Sequence, residues 1–504
     1  MREELKTKDQ RLTRPKNNKT KMYKQSAINT LILFIGFAIG GINVLFLYTH
    51  FLAEDYYGLI TFLLSTATIF LPFLIFGMHN TVIKFYSSYQ TQEEKDVFLT
   101  TSLILPLLVV LPSTIIGVFF YEQISNWLSS TNPLIKNYTY LIFLVAIFMG
   151  YFELFYAWSK VQLQSVFGNF IKEVFARFIT SILLVLVYFN QLSNAQFIYA
   201  VVITYGVRML IMLFYALYLY RPKLILKKPT NIKEIIRYSY YIILAGSAGF
   251  ILLEIDKFMI PQIQEGLEKV AFYSVGIYIA SVVGIPARAM QQIATPITAK
   301  AINHNKLEEV EEIYKSSAIN QLLAGGLLFL LINLNVVDLY AIIGKPEYAT
   351  GVLIVLMISI AKLFELAMGT NIAILSNSKF YSVYFYLSLA MALSVIVLNK
   401  WLITLFGNNG AALSTLIVVV VFVVIRILYV KRKLKIQPFS KKTMFVLLEI
   451  LFFYGIFYFI PLDFNPFVNI FIRVIFISLM YLSLSYYLKI SLEYMDLVKK
   501  YFNL

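Results

Sequence analysis

The chain has 504 residues, 59% of them hydrophobic and only 14% charged, with a mean hydropathy of +0.75. A soluble globular domain is nearer half apolar and a quarter charged, and here the apolar residues come in blocks about 20 long, the length a helix needs to cross ~30 Å of hydrocarbon. The composition therefore excludes a soluble protein, and the basic excess of 43 Lys and Arg over 27 Asp and Glu sits between the apolar blocks, where anionic lipid rather than nucleic acid is its partner.

In chain order, residues 1–24 (MREELKTKDQRLTRPKNNKTKMYK) read as a basic cytosolic arm, without the short apolar run and cleavage site of a signal peptide. Fourteen helical spans are expected after it, near 26–49, 57–83, 97–121, 134–158, 166–189, 195–220, 235–260, 270–299, 316–335, 348–370, 380–399, 408–430, 443–461 and 466–488. The fold class is all-α and polytopic. With the N-terminus inside, 31 of the 43 basic residues fall on the cytosolic side and four outside, namely Lys136, Lys269, Lys345 and Lys400. An even span count returns the C-terminus to the cytosol. The outward loops are all short.

The chain also matches itself. GFAIGGINVLFLY (36–48) aligns with AGSAGFILLEIDKFMI (245–260), EEKDVFLTTS (93–102) with EEVEEIYKSS (308–317), and KLILKKP (223–229) with KLKIQP (433–438), all at shifts of 209–215. This gives an N-lobe of six spans at 25–230, a C-lobe of six at 231–440, and an extra pair with a cytosolic tail at 441–504. Six is even, so the lobes are parallel repeats. Pro72 and Pro286 fall at matching places in the second span of each lobe, where a proline kinks the helix. Asn43 stands where the second lobe has Asp256, so the lobes are not expected to share one chemistry.

No cysteine occurs, and His50, His79 and His304 are scattered. With no HExxH, no GxxxxGK[ST] and no GxGxxG, we expect no metal, no cofactor, no catalytic residue and no ATP hydrolysis of the chain's own.

Ionisable residues inside spans cost at least ~2.5–3.5 kcal/mol each at mid-bilayer unless they pair or face water. Glu173 with Arg177, and Lys362 with Glu365, have helical spacing for local pairs. Arg426 is expected to snorkel to the cytosol, and Glu449 and Arg473 to bridge the extra pair. Arg208 and Arg288 sit too near mid-span to snorkel. Glu254, Asp256 and Lys257 interrupt ILLEIDKFMIP near the outer end of span seven. They form either an interfacial ion pair or the lining of a polar cavity between lobes, where a carboxylate would bind H⁺ or Na⁺.

LYTHFLAEDYYGLITFLLS followed by FGMHNTVIKFYSS resembles the amino-terminal pattern of bacterial polysaccharide exporters. EIDKFMI, VAFYSVGIYIAS and ATPITAKAINH resemble the start of their second half. These are the polysaccharide transporter or O-antigen-type flippases of the multidrug/oligosaccharidyl-lipid/polysaccharide (MOP) superfamily. The resemblance implies a V-shaped, two-lobed protein of the bacterial cytoplasmic membrane. By alternating access it would move a polyprenyl-diphosphate-linked oligosaccharide outward for cell-surface polysaccharide such as lipopolysaccharide, with a glycan polymerase and glycosyltransferases as partners. Arg208, Arg288, Lys172 and Arg177 would then meet the diphosphate, since guanidinium matches phosphate geometry. Two alternatives stand beside it: a cation-coupled multidrug antiporter of the same superfamily, and a membrane glycan polymerase or ligase. The first would normally have twelve spans, and the second a large outward loop.

Overall fold

The computed structural model describes residue 25 and residues 28–502, so the arm expected at 1–24 lies outside the described residues. Among the described residues every regular element is a helix. Among the described residues the fourteen expected spans fall on helix, and ten helices are long and apolar enough to cross a membrane by length and composition. One of the ten, Tyr381–Leu434, is two helices joined across a kink and covers two expected spans. Three further expected spans, on the helices at 166–188, Ile232–Ile263 and Lys441–Tyr458, are not among the ten; the first and last each carry three charges, Lys172, Glu173 and Arg177 in one and Lys441, Lys442 and Glu449 in the other.

The chain divides into two units. The first takes the described residues up to Tyr56, with Ala67–Trp127 and Lys136–Ser247; the second takes Tyr57–Thr66, Leu128–Ile135 and everything from Ala248. The boundaries cut three continuous helices, Glu54–Leu74, Tyr121–Leu128 and Ile232–Ile263.

The first unit contains α1 (Ile28–Phe51) and the end of α2 (Glu54–Leu74), followed by α3 (Met78–Phe85) and α4 (Gln92–Phe119). It continues with α5 (Tyr121–Leu128) up to Trp127, α6 (Thr139–Val161), α7 (166–188), α8 (Asn194–Leu219) and the start of α9 (Ile232–Ile263). Its helix starts are written locally. Thr91 and Glu94 close a capping box at α4, and Ser193 and Gln196 another at α8, each satisfying orphan backbone N–H groups. Between α2 and α3 the chain turns through Phe76 and Gly77 at positive φ, just after Pro72. The core packs Phe98, Phe152, Trp158 and Met212 with Met78 and Ile235. Leu108, Leu111, Ile115 and Phe119 of α4 are all more than half exposed, which suits a face against lipid tails.

The second unit holds the rest of α9, α10 (Glu268–Ser281), α11 (Ile285–Asn303), α12 (Leu307–Asn333), α13 (Val336–Ile343) and α14 (Val352–Ala367). It continues through α15 (Asn371–Asn377), α16 (Tyr381–Leu434), α17 (Lys441–Tyr458), α18 (Pro466–Tyr487) and α19 (Leu492–Phe502). A 3₁₀ turn at Val282–Gly284 parts α10 from α11, and Pro286 occupies the first turn of α11, where its missing N–H costs nothing. Pro72 and Pro286 thus both adjoin a helix break. Leu322, Leu330, Leu366, Ile450, Ile477 and Tyr481 form one core that joins the extra pair to α12 and α14.

The duplication is plainer in the elements than in the residues. α4 begins at 92 and α12 at 307; α5 at 121 and α13 at 336; both pairs are 215 apart. Six-residue 3₁₀ turns open with a proline at Pro133 and Pro346, and α6 and α14 begin at 139 and 352, both 213 apart.

The 54-residue α16 breaks at Gly407, whose φ of 58° and ψ of −138° belong to a region open essentially to glycine. A side chain there costs about 1–3 kcal/mol. Gly117 of α4, by contrast, has no atom within 4 Å of a Cβ built on it. Gly407→Ala should therefore lower the thermal unfolding midpoint of the detergent-purified protein, while Gly117→Ala leaves it unchanged or higher. Equal midpoints would remove the break from the list of structural constraints.

Candidate functional site

In the first unit the polar residues of α7 arise from one stretch, VFGNFIKEVFARFITS. Its Ile171–Phe175 segment is a π turn, which carries Lys172 and Glu173; a second π turn, Asn43–Leu47, begins on Asn43 in α1. Such turns offset the side-chain stripe of a helix and recur at functional sites. The two helices meet there. A Cβ at Gly36 would stand 2.6 Å from the Glu173 carbonyl, so only a glycine lets α1 come this close. Asn43 is buried; its Nδ2 donates to the Arg177 carbonyl (2.8 Å), and Ser181 Oγ donates to its Oδ1 (2.6 Å).

Around this contact lies a cluster of charges. Lys172 Nζ stands 2.7 Å from Glu153 Oε1, and Arg177 Nη1 stands 3.1 Å from Glu173 Oε2. Glu153 also acts electrostatically on Lys160 and Arg208, and Glu153, Lys172 and Lys160 act in the same way on His79. Arg208 is 7% exposed. Its guanidinium carbon lies 3.9 Å from the Phe152 ring centre and 5.3 Å from that of Tyr205. Among the described residues it has no carboxylate within 4.0 Å, and its Nε is buried without a partner. Lys160, in the last turn of α6, rests 3.8 Å from the Tyr156 ring centre and likewise forms no ion pair among the described residues.

The tally of the cluster decides its chemistry. Lys160, Lys172, Arg177 and Arg208 oppose Glu153 and Glu173, and each carboxylate is already taken by one cation. Cation–π contact gives about 0.5–2 kcal/mol, less than the ~2.5–3.5 kcal/mol cost of a mid-bilayer charge. The surplus positive charge is suited to a ligand with two negative charges. Lys172, Arg177 and Arg208 are thus brought together. Arg288 is exposed on α11 and belongs to the second unit. Lys160, Glu153 and His79 were not among the expected site residues: Lys160 reads as a cytosolic-end lysine, and nothing in the chain marks Glu153 as the partner of Lys172 nineteen positions later.

In the second unit Glu254, Asp256 and Lys257 do not act as one group. Lys257 pairs with Glu254 at 2.5 Å. Asp256 turns the other way, buried at 5% exposure. Tyr273 Oη donates to its carboxylate, as do Asn399 Nδ2 (2.7 Å) and Thr415 Oγ1 (2.9 Å). These partners come from α10 and from both arms of α16. Among the described residues no cation lies within 4.0 Å of it. Carboxylate, amide and hydroxyl oxygens gathered in this way are a hard donor set, suited to a proton or a small hard cation. Asn43 and Asp256 are placed alike: the first ties α1 to α7, the second ties α9 to α16.

Other in-span charges depart from expectation. Arg426 is buried, with Nη2 3.3 Å from Ser388 Oγ and its guanidinium 5.4 Å from the Tyr384 ring centre, instead of snorkelling to water. Glu449 bridges the extra pair by accepting from Ser485 (2.9 Å), whereas Arg473 leaves it and pairs with Asp338 of α13 at 2.5 Å. Helix geometry explains the difference, because α13 is a short helix whose proximity to α18 no local spacing reveals. Lys362 and Glu365 pair at 2.8 Å, as their spacing implies.

The profile of the family described as polysaccharide biosynthesis protein matches residues 22–297, more than half of the chain. Among solved structures, a lipid II flippase MurJ in an inward closed conformation is similar with a TM-score of 0.72 at 14% identity, over 91% of this chain and 99% of that one. An inward-facing multidrug resistance MATE family transporter of the MOP superfamily has a TM-score of 0.58 at 14% identity, over 82% of this chain and 97% of the other. Its outward-facing counterpart scores 0.56 at 15% identity, over 82% and 96%. A comparison with curated proteins finds no match. The similar structures are a flippase and transporters, not enzymes, and at these identities they establish the fold. The chain belongs to the polysaccharide biosynthesis protein family, and its fold is the one shared by the MurJ flippase and the MATE transporters of the MOP superfamily.

Proposed function

We propose that the protein is a flippase that carries a polyprenyl-diphosphate-linked oligosaccharide outward across the bacterial cytoplasmic membrane, by alternating access, for cell-surface polysaccharide. The observation that carries this reading is the cationic surplus inside the first unit, with Arg208 held on aromatic faces and left without a carboxylate. A diphosphate supplies the two missing negative charges. Phe152 and Tyr205 hold the guanidinium plane, and Lys172 and Arg177, each half-neutralised by its glutamate, would bind the anion reversibly rather than trap it. The apolar tail stays in the bilayer. The membrane potential acts at about 2.3 kcal/mol on each net charge moved across 100 mV, which suits a chain without a nucleotide motif. Exposed Lys and Arg at 221–237 and 431–442 agree with cytosolic loops and cytosolic termini. Glycosyltransferases and a glycan polymerase would act before and after it.

Arg208→Ala should abolish surface polysaccharide while protein level holds, and Arg208→Lys should restore only part of it, because lysine keeps the charge but loses the planar fork. The readout is surface glycan by immunoblot, with lipid-linked repeat units accumulating on the inner leaflet. Wild-type export by Arg208→Ala would sink the diphosphate assignment.

The Asp256 cluster supports a coupled cation, H⁺ or Na⁺, held with Asn399 and Thr415. In proteoliposomes, Asp256→Asn should make substrate movement insensitive to imposed H⁺ and Na⁺ gradients, to which the parent responds; an unchanged response would exclude the site. The same buried carboxylate also favours a second reading, a cation-coupled drug antiporter. A broad change in susceptibility to cationic dyes on deletion, with surface glycan intact, would select it.

A further inference from the structure

A cavity of about 500 Å³ opens at one end of the first unit, where the residues joining α1 to α2 adjoin those joining α7 to α8. Its walls include His50, Phe51, Tyr188, Asn190, Ser193 and Asn194, and no Lys, Arg, Asp or Glu lines it. We infer that this cavity is a binding site for a neutral saccharide, one or two rings in size.

Three observations carry the inference. First, the pocket offers a ready stacking face. Tyr188 is more than half exposed and rests on Phe51, ring centres 4.5 Å apart and 34° between planes, with Phe189 edge-on at 5.2 Å. An aromatic face suits the apolar C–H side of a sugar ring, and its hydroxyl can serve the polar rim. Second, the polar groups are unspent. The side chains of Asn190 and Asn194 make no hydrogen bond among the described residues, and His50 uses only Nδ1, 2.9 Å from the Phe46 carbonyl. Amides that both donate and accept suit a ring of hydroxyls better than an ion. Third, the loop is held at both ends. Asn190, at φ 57°, closes α7 with its N–H on the Val187 carbonyl (2.9 Å), Gln191 N–H bonds the Leu186 carbonyl (2.9 Å), and Ser193 caps α8. The pocket is therefore preorganised, and its volume lies within the ~300–1,000 Å³ typical of small-molecule sites.

Its position links it to the proposed cargo, and this part rests on the flippase reading. Arg177 and Tyr188 lie on one uninterrupted helical run, so at ~1.5 Å per residue the pocket stands about 16 Å along α7 from the cationic cluster. A molecule with a diphosphate at one end and sugars beyond it has this layout.

The test uses full-length protein in nanodiscs and titrates a panel of neutral sugars (glucose, N-acetylglucosamine and N,N′-diacetylchitobiose) by saturation-transfer NMR. At least one should bind saturably, with affinity falling about ten-fold in Tyr188→Ala and in Asn194→Ala, and largely kept in Tyr188→Phe. Elution of the variants as folded monodisperse protein guards against trivial loss. No saturable binding by the parent, or unchanged binding by Tyr188→Ala, overturns the site. Surface glycan in cells separates the sources: reduced export by Tyr188→Ala identifies the carried glycan, and full export with lost binding identifies a free or surface saccharide. Arg208→Ala should leave sugar binding intact. Intact export in that variant would defeat the flippase reading without touching the pocket.

Discussion

Charge is costly in hydrocarbon, and the placement of charge organises this molecule. A lysine or arginine at mid-bilayer must find a carboxylate, water, an aromatic face or a bound anion. Lys172 and Arg177 find Glu153 and Glu173. Arg473 finds Asp338, which fastens α18 of the extra pair to the short helix α13, with Asn469 on the second carboxylate oxygen at 3.0 Å. Arg208 rests on rings, and the carboxylates that act on it lie beyond 4.0 Å. A residue whose cost is so incompletely offset by its own protein is the natural place for a ligand's opposite charge, and it is the reason the first unit reads as an anion site.

The duplication makes this sharper, because the two units begin from one plan and diverge in sign. Asn43 and Asp256 hold the same kind of bridge, from the first helix of a repeat to a later one, through Ser181 in one case and Asn399 in the other. The neutral amide sits beside cations, and a carboxylate there would have consumed the surplus charge. The acid sits among neutral donors, where nothing consumes its own charge. Equivalent positions therefore carry a neutral amide beside cations in one unit and a carboxylate among neutral donors in the other.

How much of this was legible follows the range of the interaction involved. Hydropathy reports on twenty residues at a time, so the helices and their repeat were readable, as was the local pair Lys362–Glu365. The gap expected between spans 380–399 and 408–430 falls on Gly407, where a single unusual residue parts two helices. Glu153 with Lys172, Arg473 with Asp338, and Glu449 with Ser485 join different helices, and their partners depend on packing that spacing does not encode. Arg426 was sorted by depth alone. Depth gives the cost of a charge but not its neighbours, so Arg426, late in its span, was expected in water and is instead buried against Ser388 and Tyr384.

The same charges bear on where the membrane potential would act. With Lys160, Lys172, Arg177 and Arg208 set against Glu153 and Glu173, the empty cluster is doubly positive, and a bound diphosphate of two negative charges brings it to neutrality. Under alternating access the loaded step then moves almost no net charge through the field. The empty return carries two positive charges inward, favoured by as much as about 4.6 kcal/mol per 100 mV if they cross the whole field. The potential would thus reset the carrier rather than pull the cargo, and the slow, voltage-insensitive step would be the one in which the glycan crosses. On the proposed flippase reading, a cation held by Asp256 would add charge in one direction only, so that the second unit would serve coupling and the first recognition.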